Sequence, residues 1–384
     1  MTPQDAPLRL VILCEFSTVT GGEHSLLAAL EVLRPRVEVR FLAPKYGRLA
    51  ELLQAQHWPH TEFEVRDESG RRHDSASLER QLVDHVTRLR PQLLHGNSLS
   101  MGRLAGRVAN QLPCPTTAHL RDIMRLSRAA IFDLAHNRQL FAVSAATRQF
   151  HINQGLPADV VTVLHNGVDL HRFRPASSAD ETAQLRLRLN IPRQAPLALA
   201  VGQIGLRKGF DVLAEAMSEI SAAVPDLHLL LVGERHSGKE EALKFEASLR
   251  ERLCGSLSGE QLHWPGHRDD VPDLMRAADV LIHPARQEPF GRVLLEASAS
   301  KLAIVATNVG GTAEMLTDGE SARLVPPDSP STLAAAVVAL LRDERLRKRY
   351  GAAARNCVES RFTIAASADR LLTAWQDVVN PSRS

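Results

Sequence analysis

Glu288 and Glu296 stand eight positions apart, and Pro289, Phe290 and Gly291 follow the first of them directly. Pro289 offers no backbone donor, and Gly291 lets the chain turn sharply. On one continuous helix the two acids would lie roughly 80° apart around the axis. The intervening Pro-Phe-Gly predicts something else: a loop carrying Glu288, then a helix that starts near Gly291 and holds Glu296. The first amides of such a helix lack intrahelical acceptors and favour an anion such as a diphosphate. One carboxylate is then left to accept from a sugar hydroxyl and the other from a ribose. A plain first-turn acid, favoured by the helix macrodipole, would show the same spacing without any chemistry.

Other stretches carry the same strand–glycine–helix signature. Val201-Gly202-Gln203-Ile204-Gly205-Leu206-Arg207-Lys208-Gly209-Phe210 leaves an apolar strand and opens a helix. Its glycines let backbone approach a ligand. Lys208, with Arg207 beside it, brings the positive charge that a departing diphosphate needs when no metal helps. Gly21-Gly22 opens the first helix, and Gly310-Gly311 precedes Thr312-Ala313-Glu314 in the same way. His119 closes the strand Thr116-Thr117-Ala118-His119, where it is either a ligand contact or a hydrogen-bonded structural group. Gly233 to Lys239 has the spacing of a phosphate-binding P-loop, but Glu240 replaces the hydroxyl that would hold magnesium and would repel phosphates. That segment is expected to be a surface loop rich in Gly and charge.

The elements that must position these residues alternate. Apolar runs at Leu8–Cys14, Val37–Leu42, Gln92–His95, Thr116–His119, Leu140–Val143 and Val160–Leu164 read as strands, with helical spacing between them at Glu23–Leu30, Leu78–Leu89 and Leu104–Val108. A second series runs through Leu197–Val201, Leu227–Val232, Leu262–Trp264, Val280–Ile282 and Ala303–Ala306, followed by helices at Leu333–Leu341 and Ile364–Val379. Alternation of this kind predicts doubly wound parallel sheets. Prolines and small polar residues at 174–196 mark a linker. The expected organisation is a Rossmann-like domain over 1–173, the linker over 174–196, a second Rossmann-like domain over 197–362 and a final helix and tail over 363–384. Strand ends facing one another across a cleft would hold the ligand.

Composition narrows the classes. A formal net charge of +2 gives no footing for bulk nucleic-acid binding. Cys14, Cys114, Cys254 and Cys357 are far apart and form no CxxC pair, so neither a zinc site nor a disulfide framework is expected. Asp269-Asp270 does not make a metal-binding acid pair. No run reaches the ~20 apolar residues of a membrane span. Met1 to Asp5 is polar and acidic, unlike a signal peptide, so a cytoplasmic location is expected, with the inner membrane face as the variant. Arg121, Arg125, Arg128 and Arg138 lie among apolar residues; Asp122 and Asp133 interrupt the charge and favour a solvated helix face, with a peripheral contact to an anionic membrane as the alternative.

The stretch from Glu288 to Glu296 resembles the E-x7-E motif of family 4 retaining glycosyltransferases (GT4), which have the GT-B fold. The resemblance runs from about residue 8 to about residue 370. It is strong in the C-terminal half and looser in the N-terminal half, since acceptor-binding domains vary more than donor-binding ones in that family. It includes His165-Asn166-Gly167-Val168-Asp169 at the end of the first domain and Gly266-His267-Arg268-Asp269-Asp270-Val271. It implies two Rossmann-like domains facing a central cleft, with the C-terminal helix crossing back to the N-terminal domain. It also implies transfer of a sugar from a UDP-, GDP- or ADP-sugar to a lipid-linked, polysaccharide or small-molecule glycan acceptor, with no metal or other cofactor.

By that resemblance Glu288, His119 and Lys208 are the catalytic residues. Arg207, Lys208, Glu288, Phe290, Gly291, Glu296, Gly310 and Gly311 bind the donor, and Gly21 and Gly22 serve the acceptor side or a phosphate. Three departures stand out. Gln203 replaces the family's usual arginine in G-R-x(4)-K-G. Leu120 follows His119 where an Asp is usual, with Asp122 three positions beyond the histidine. Ala299-Ser300-Lys301-Leu302-Ala303 replaces a small-Gly-x-Pro turn. A nucleotide-sugar epimerase of the same architecture, and a catalytically inactive nucleotide-sugar binding module, are the alternatives.

Overall fold

The computed structural model describes residues 6–235 and 237–381. The N-terminal segment Met1 to Asp5, read above as no signal peptide, lies outside the described residues, as does His236 of the P-loop-like segment. The chain divides into two compact units. One comprises the described residues up to Gly167 together with those from Ile364 on; the other runs from Val168 to Thr363.

The first unit is built on a seven-stranded sheet. Its strands are β1 (Leu8–Leu13), β2 (Val37–Ala43), β3 (His60–Glu62), β4 (Leu93–Gly96), β5 (Thr116–Leu120), β6 (Gln139–Ala142) and β7 (Val161–Val163), in the order β3-β2-β1-β4-β5-β6-β7. All pairs are parallel. The second unit has a six-stranded sheet of β8 (Leu197–Val201), β9 (His228–Val232), β10 (Leu262–Gly266), β11 (Val280–His283), β12 (Ala303–Thr307) and β13 (Arg323–Val325), ordered β10-β9-β8-β11-β12-β13 and again parallel. Both are doubly wound sheets, as the alternation predicts. β9, β11 and β12 are buried along their whole length, because helices cover both faces of a parallel sheet. In each sheet the order reverses once, between β1 and β4 and between β8 and β11. Loops leaving the carboxyl ends of strands at such a reversal diverge and open a crevice for ligand.

The C-terminal helix Ile364–Val379 belongs to the first unit and packs on helix Gly21–Leu33, burying Leu371, Leu372 and Trp375. Its apolar residues recur at helical spacing, which is why its limits follow from sequence. Residues 174–196, expected as a linker, instead form part of the second unit. Helix Ala179–Arg188 packs on helix Val271–Ala277, and the Arg186 guanidinium, 6% exposed, reaches the Asp279 carboxylate at 2.8 Å. The high polarity that suggested a linker is the solvated face of this helix. The chain from Arg121 to Arg138 is not one amphipathic helix. Helix structure covers only Arg128–Ala135, and Arg121 turns inward to the two asparagines described below.

Candidate active site

In the second unit the loops after β8 and β11 flank the strand reversal. A short 3-10 turn, Leu206–Lys208, ends at Gly209, which adopts φ 66° and caps helix Phe210–Ala223. A Cβ there would lie 1.9 Å from the Pro284 carbonyl oxygen, so glycine is what allows the two loops to touch. Arg286, in the β11 loop, fastens the arrangement. Its guanidinium pairs with Asp211 through two hydrogen bonds of 2.8 and 2.7 Å, and Nη1 also donates to the Leu206 carbonyl at 2.8 Å.

This packing brings Lys208 and Glu288 together across 80 residues of sequence. Lys208 Nζ donates to Glu288 Oε2 at 2.6 Å. His283, the last residue of β11, donates from Nε2 to the same oxygen at 2.8 Å. Glu288 is 5% exposed and His283 1%. Burial opposes ionisation of Glu288, yet the Lys208 ammonium and the His283 hydrogen bond outweigh it and hold the carboxyl well below the usual carboxylate range. Burial, joined by the positive field of Lys208, lowers His283 despite its bond to Glu288, so the imidazole is neutral. Both protein donors use Oε2. Oε1 has no partner among the described residues and can accept from a ligand hydroxyl.

The helix expected near Gly291 is Arg292–Ala299, with Gly291 at φ 90° as its cap. Glu296 lies inside it, 4% exposed and 3.0 Å from Arg292. Burial raises its pKa, and the Arg292 and Arg172 charges only partly offset that. Gly311 donates its amide to the Glu288 carbonyl at 3.0 Å, so the Gly310-Gly311 loop is tied to the Glu288 loop. Phe290 is packed inward against Phe362, ring centroids 5.6 Å apart; its ring shapes the loop from behind. The Arg207 side chain is exposed, as is Gln203. Lys301 replaces the glycine of the usual turn and holds a left-handed φ of 56°.

In the first unit, Gly21 and Gly22 begin helix Gly21–Leu33, whose start is closed by Thr20 and Glu23; the Thr20 amide donates to Glu23 Oε2 at 3.0 Å. Arg121 lies against Gly22, where a Cβ would come within 2.8 Å of Arg121 Cδ. The guanidinium donates to Asn97 Oδ1 at 3.0 Å and to Asn166 Oδ1 at 3.2 Å. Burial pushes Arg121 down to about 10, against the fields of Glu23 and Asp122. His119 lies one residue before the end of β5, 3% exposed, its Nδ1 2.8 Å from Nε2 of the fully buried His95. The sequence reading did not find His283, Arg286, His95 or Arg121 as site residues. The strand-end positions of His283 and Arg121 were a signal, but nothing local distinguishes them from structural side chains.

Two family models match the chain: Glycosyltransferase Family 4 over residues 19–172, and Glycosyl transferases group 1 over residues 181–357. The D-inositol 3-phosphate glycosyltransferase of Segniliparus rotundus is 32% identical over 321 residues, covering 79% of this chain and 69% of that one. The chain belongs to glycosyltransferase family 4. Another relative is the D-inositol 3-phosphate glycosyltransferase of Xylanimonas cellulosilytica, 36% identical over 203 residues, 52% of this chain and 48% of that protein. The chain thus spans about half the length of several relatives it matches. The crystal structure of Anabaena HepE in complex with UDP and glucose superposes with a TM-score of 0.85 at 22% identity, covering 96% of this chain and 99% of that one. This family 4 chain therefore has the GT-B type of fold, with two Rossmann-like units.

Proposed function

We propose that this family 4 chain moves a sugar from a nucleotide diphosphate sugar to a hydroxyl acceptor with retention of anomeric configuration, without a metal. The observation that carries this reading is Glu288, buried and ionised, with Oε2 held by Lys208 and His283 and Oε1 left unpartnered. A carboxylate so fixed can accept from hydroxyls of the transferred sugar. Lys208 then exchanges its partner for the donor diphosphate and neutralises charge as the leaving group departs. Glu296 is assigned to the ribose, Gly310-Gly311 and the amides after Gly291 to the phosphates, Arg207 to the donor, and His119 with Gly21-Gly22 to the sugar and acceptor side. The bond from the anomeric carbon to the phosphate oxygen breaks on the face where the acceptor oxygen bonds. The acceptor's proton goes to the departing phosphate oxygen.

The first donor to test is a UDP-sugar, since HepE has been crystallised with UDP and with UDP-glucose. The first acceptor is an inositol phosphate, given the names of the two relatives; glycan and lipid-linked acceptors follow. Among the described residues no helix is long and apolar enough to cross a membrane, and a cytoplasmic or peripheral location belongs to the proposal. The decisive experiment is a thermal-shift screen against UDP-, GDP- and ADP-sugars, followed by turnover with the donor that binds. Lys208→Ala should weaken that donor's binding about 10- to 100-fold, the value of a lost charge-assisted contact; unchanged affinity removes Lys208 from the site.

Exposed Gln203, which cannot neutralise a phosphate, supports a second reading as an inactive nucleotide-sugar binding module. Tight donor binding without turnover, and turnover restored by Gln203→Arg, would favour that reading.

A further inference from the structure

His95, Thr117 and His119 form a closed chain of polar groups in the core of the first unit. Parallel pairing sets His95 of β4 opposite Thr117 of β5, and His119, two residues on, shares the face of Thr117. The same register sets His119 opposite Phe141 of β6. Trp375 of the C-terminal helix lies edge-on to His95, ring centroids 5.3 Å apart, and covers this face. All three polar side chains are buried, at 0%, 0% and 3% exposure. Thr117 Oγ1 is 2.9 Å from His95 Nδ1, and His95 Nε2 is 2.8 Å from His119 Nδ1.

Hydrogen positions follow from what each group can do. His95 is the only hydrogen-bond partner of the Thr117 hydroxyl among the described residues. If that hydroxyl accepted from His95, its own proton would be stranded in the core at a cost of about 1–3 kcal/mol. It therefore donates to Nδ1. His95, neutral, must then carry its proton on Nε2 and donate to His119 Nδ1, which leaves the His119 proton on Nε2. Burial, reinforced by the Arg121 charge, supports neutrality: it pushes His95 down to about 3 and His119 well below its ordinary value.

We propose that His95 is a positioning residue which, with the Thr117 hydroxyl, fixes His119 as the Nε2–H tautomer, so that His119 meets a ligand oxygen as hydrogen-bond donor rather than as general base. The ligand part of this inference rests on the sugar-transfer reading; the tautomer does not. A base at this position would need a free Nε2 lone pair, which the relay denies it. A donor that stays neutral across physiological pH suits an uncharged sugar hydroxyl or a phosphate oxygen.

Imidazole nitrogen NMR of the full chain labelled with 15N-histidine tests the tautomer without any sugar present, with His119 assigned from the spectrum of His119→Gln. The expected result is a single Nε2–H form of His119 from about pH 5 to pH 8, the range in which an ordinary histidine titrates. The Nδ1–H form, or protonation of either ring in that range, overturns the proposal. Thr117→Ser should keep the single tautomer, whereas Thr117→Val, which removes the hydroxyl, should give a mixture and lower kcat/KM about 10-fold. If Thr117→Val does not fold, the wild-type spectrum decides alone. An active transferase showing Nδ1–H refutes the relay and leaves the transferase reading standing. A chain that shows Nε2–H but turns over no donor refutes the transferase reading and leaves the relay.

Discussion

Replacing Glu288 with Gln keeps the shape of the side chain and removes its charge. Two effects follow, and their sizes differ. The ligand-free protein loses a short ion pair between Lys208 and Glu288, whose side chains are 14% and 7% exposed. Breaking a buried pair can cost about 3–5 kcal/mol, but Lys208 retains a path to water, which places the loss nearer 1–3 kcal/mol. For a unit of this size that lowers Tm by roughly 2–10 °C. A protein of ordinary stability, about 5–15 kcal/mol, stays overwhelmingly folded at the assay temperature. The catalytic effect is separate. Exchanging a carboxylate acceptor for an amide at a sugar hydroxyl forfeits about 1.5–3 kcal/mol, or roughly 10- to 100-fold in kcat/KM. Release of nucleoside diphosphate, followed in the same samples as the melting curve, separates the two. Wild-type kcat/KM in a folded Glu288→Gln protein would refute the role given to this carboxylate.

Glu296→Gln should make the ligand-free protein more stable at neutral pH and weaken donor binding about 10- to 100-fold. The raised pKa of Glu296 means its ionised form destabilises the folded state at neutral pH, and acidification through the raised value restores stability; an unchanged or lower Tm at pH 7 counts against this. His95 supplies the opposite sign. Its folded pKa of about 3 lies below the ordinary 6.5, so stability present above 6.5 is lost as pH falls from 6.5 toward 3, by several kcal/mol in total. Urea denaturation from pH 7 to pH 4 reads the slope, which His95→Gln should flatten. Lys301→Gly relieves a left-handed conformation worth about 1–2 kcal/mol, less the entropy glycine adds to the unfolded chain, and should raise Tm by a few °C; a lower Tm would show that the Lys301 side chain contributes contacts of its own.

The amino-acid sequence by itself determined the rhythm of the fold. The strand Leu197–Val201 and the helix Ile364–Val379 were read with the limits they have, because apolar residues bunch in one and recur every three or four positions in the other. Local chemistry also marked Glu288, Gly291 and Lys208, since a turn that needs glycine and a helix that needs a start leave signatures within ten residues. Helix Glu344–Arg361 escaped that reading. It is strongly charged and buries only a narrow face of Tyr350, Gly351, Ala354 and Val358, too small-sided to show as a periodic apolar stripe. What tertiary structure alone decided was pairing. The reversal between β8 and β11 brought Lys208 to Glu288 across 80 positions and set His283 on the same carboxylate oxygen, and the register of β4 against β5 laid His95 opposite Thr117. Such contacts depend on the register of parallel strands joined by long crossovers, and no periodicity along a chain encodes which strand will lie beside which.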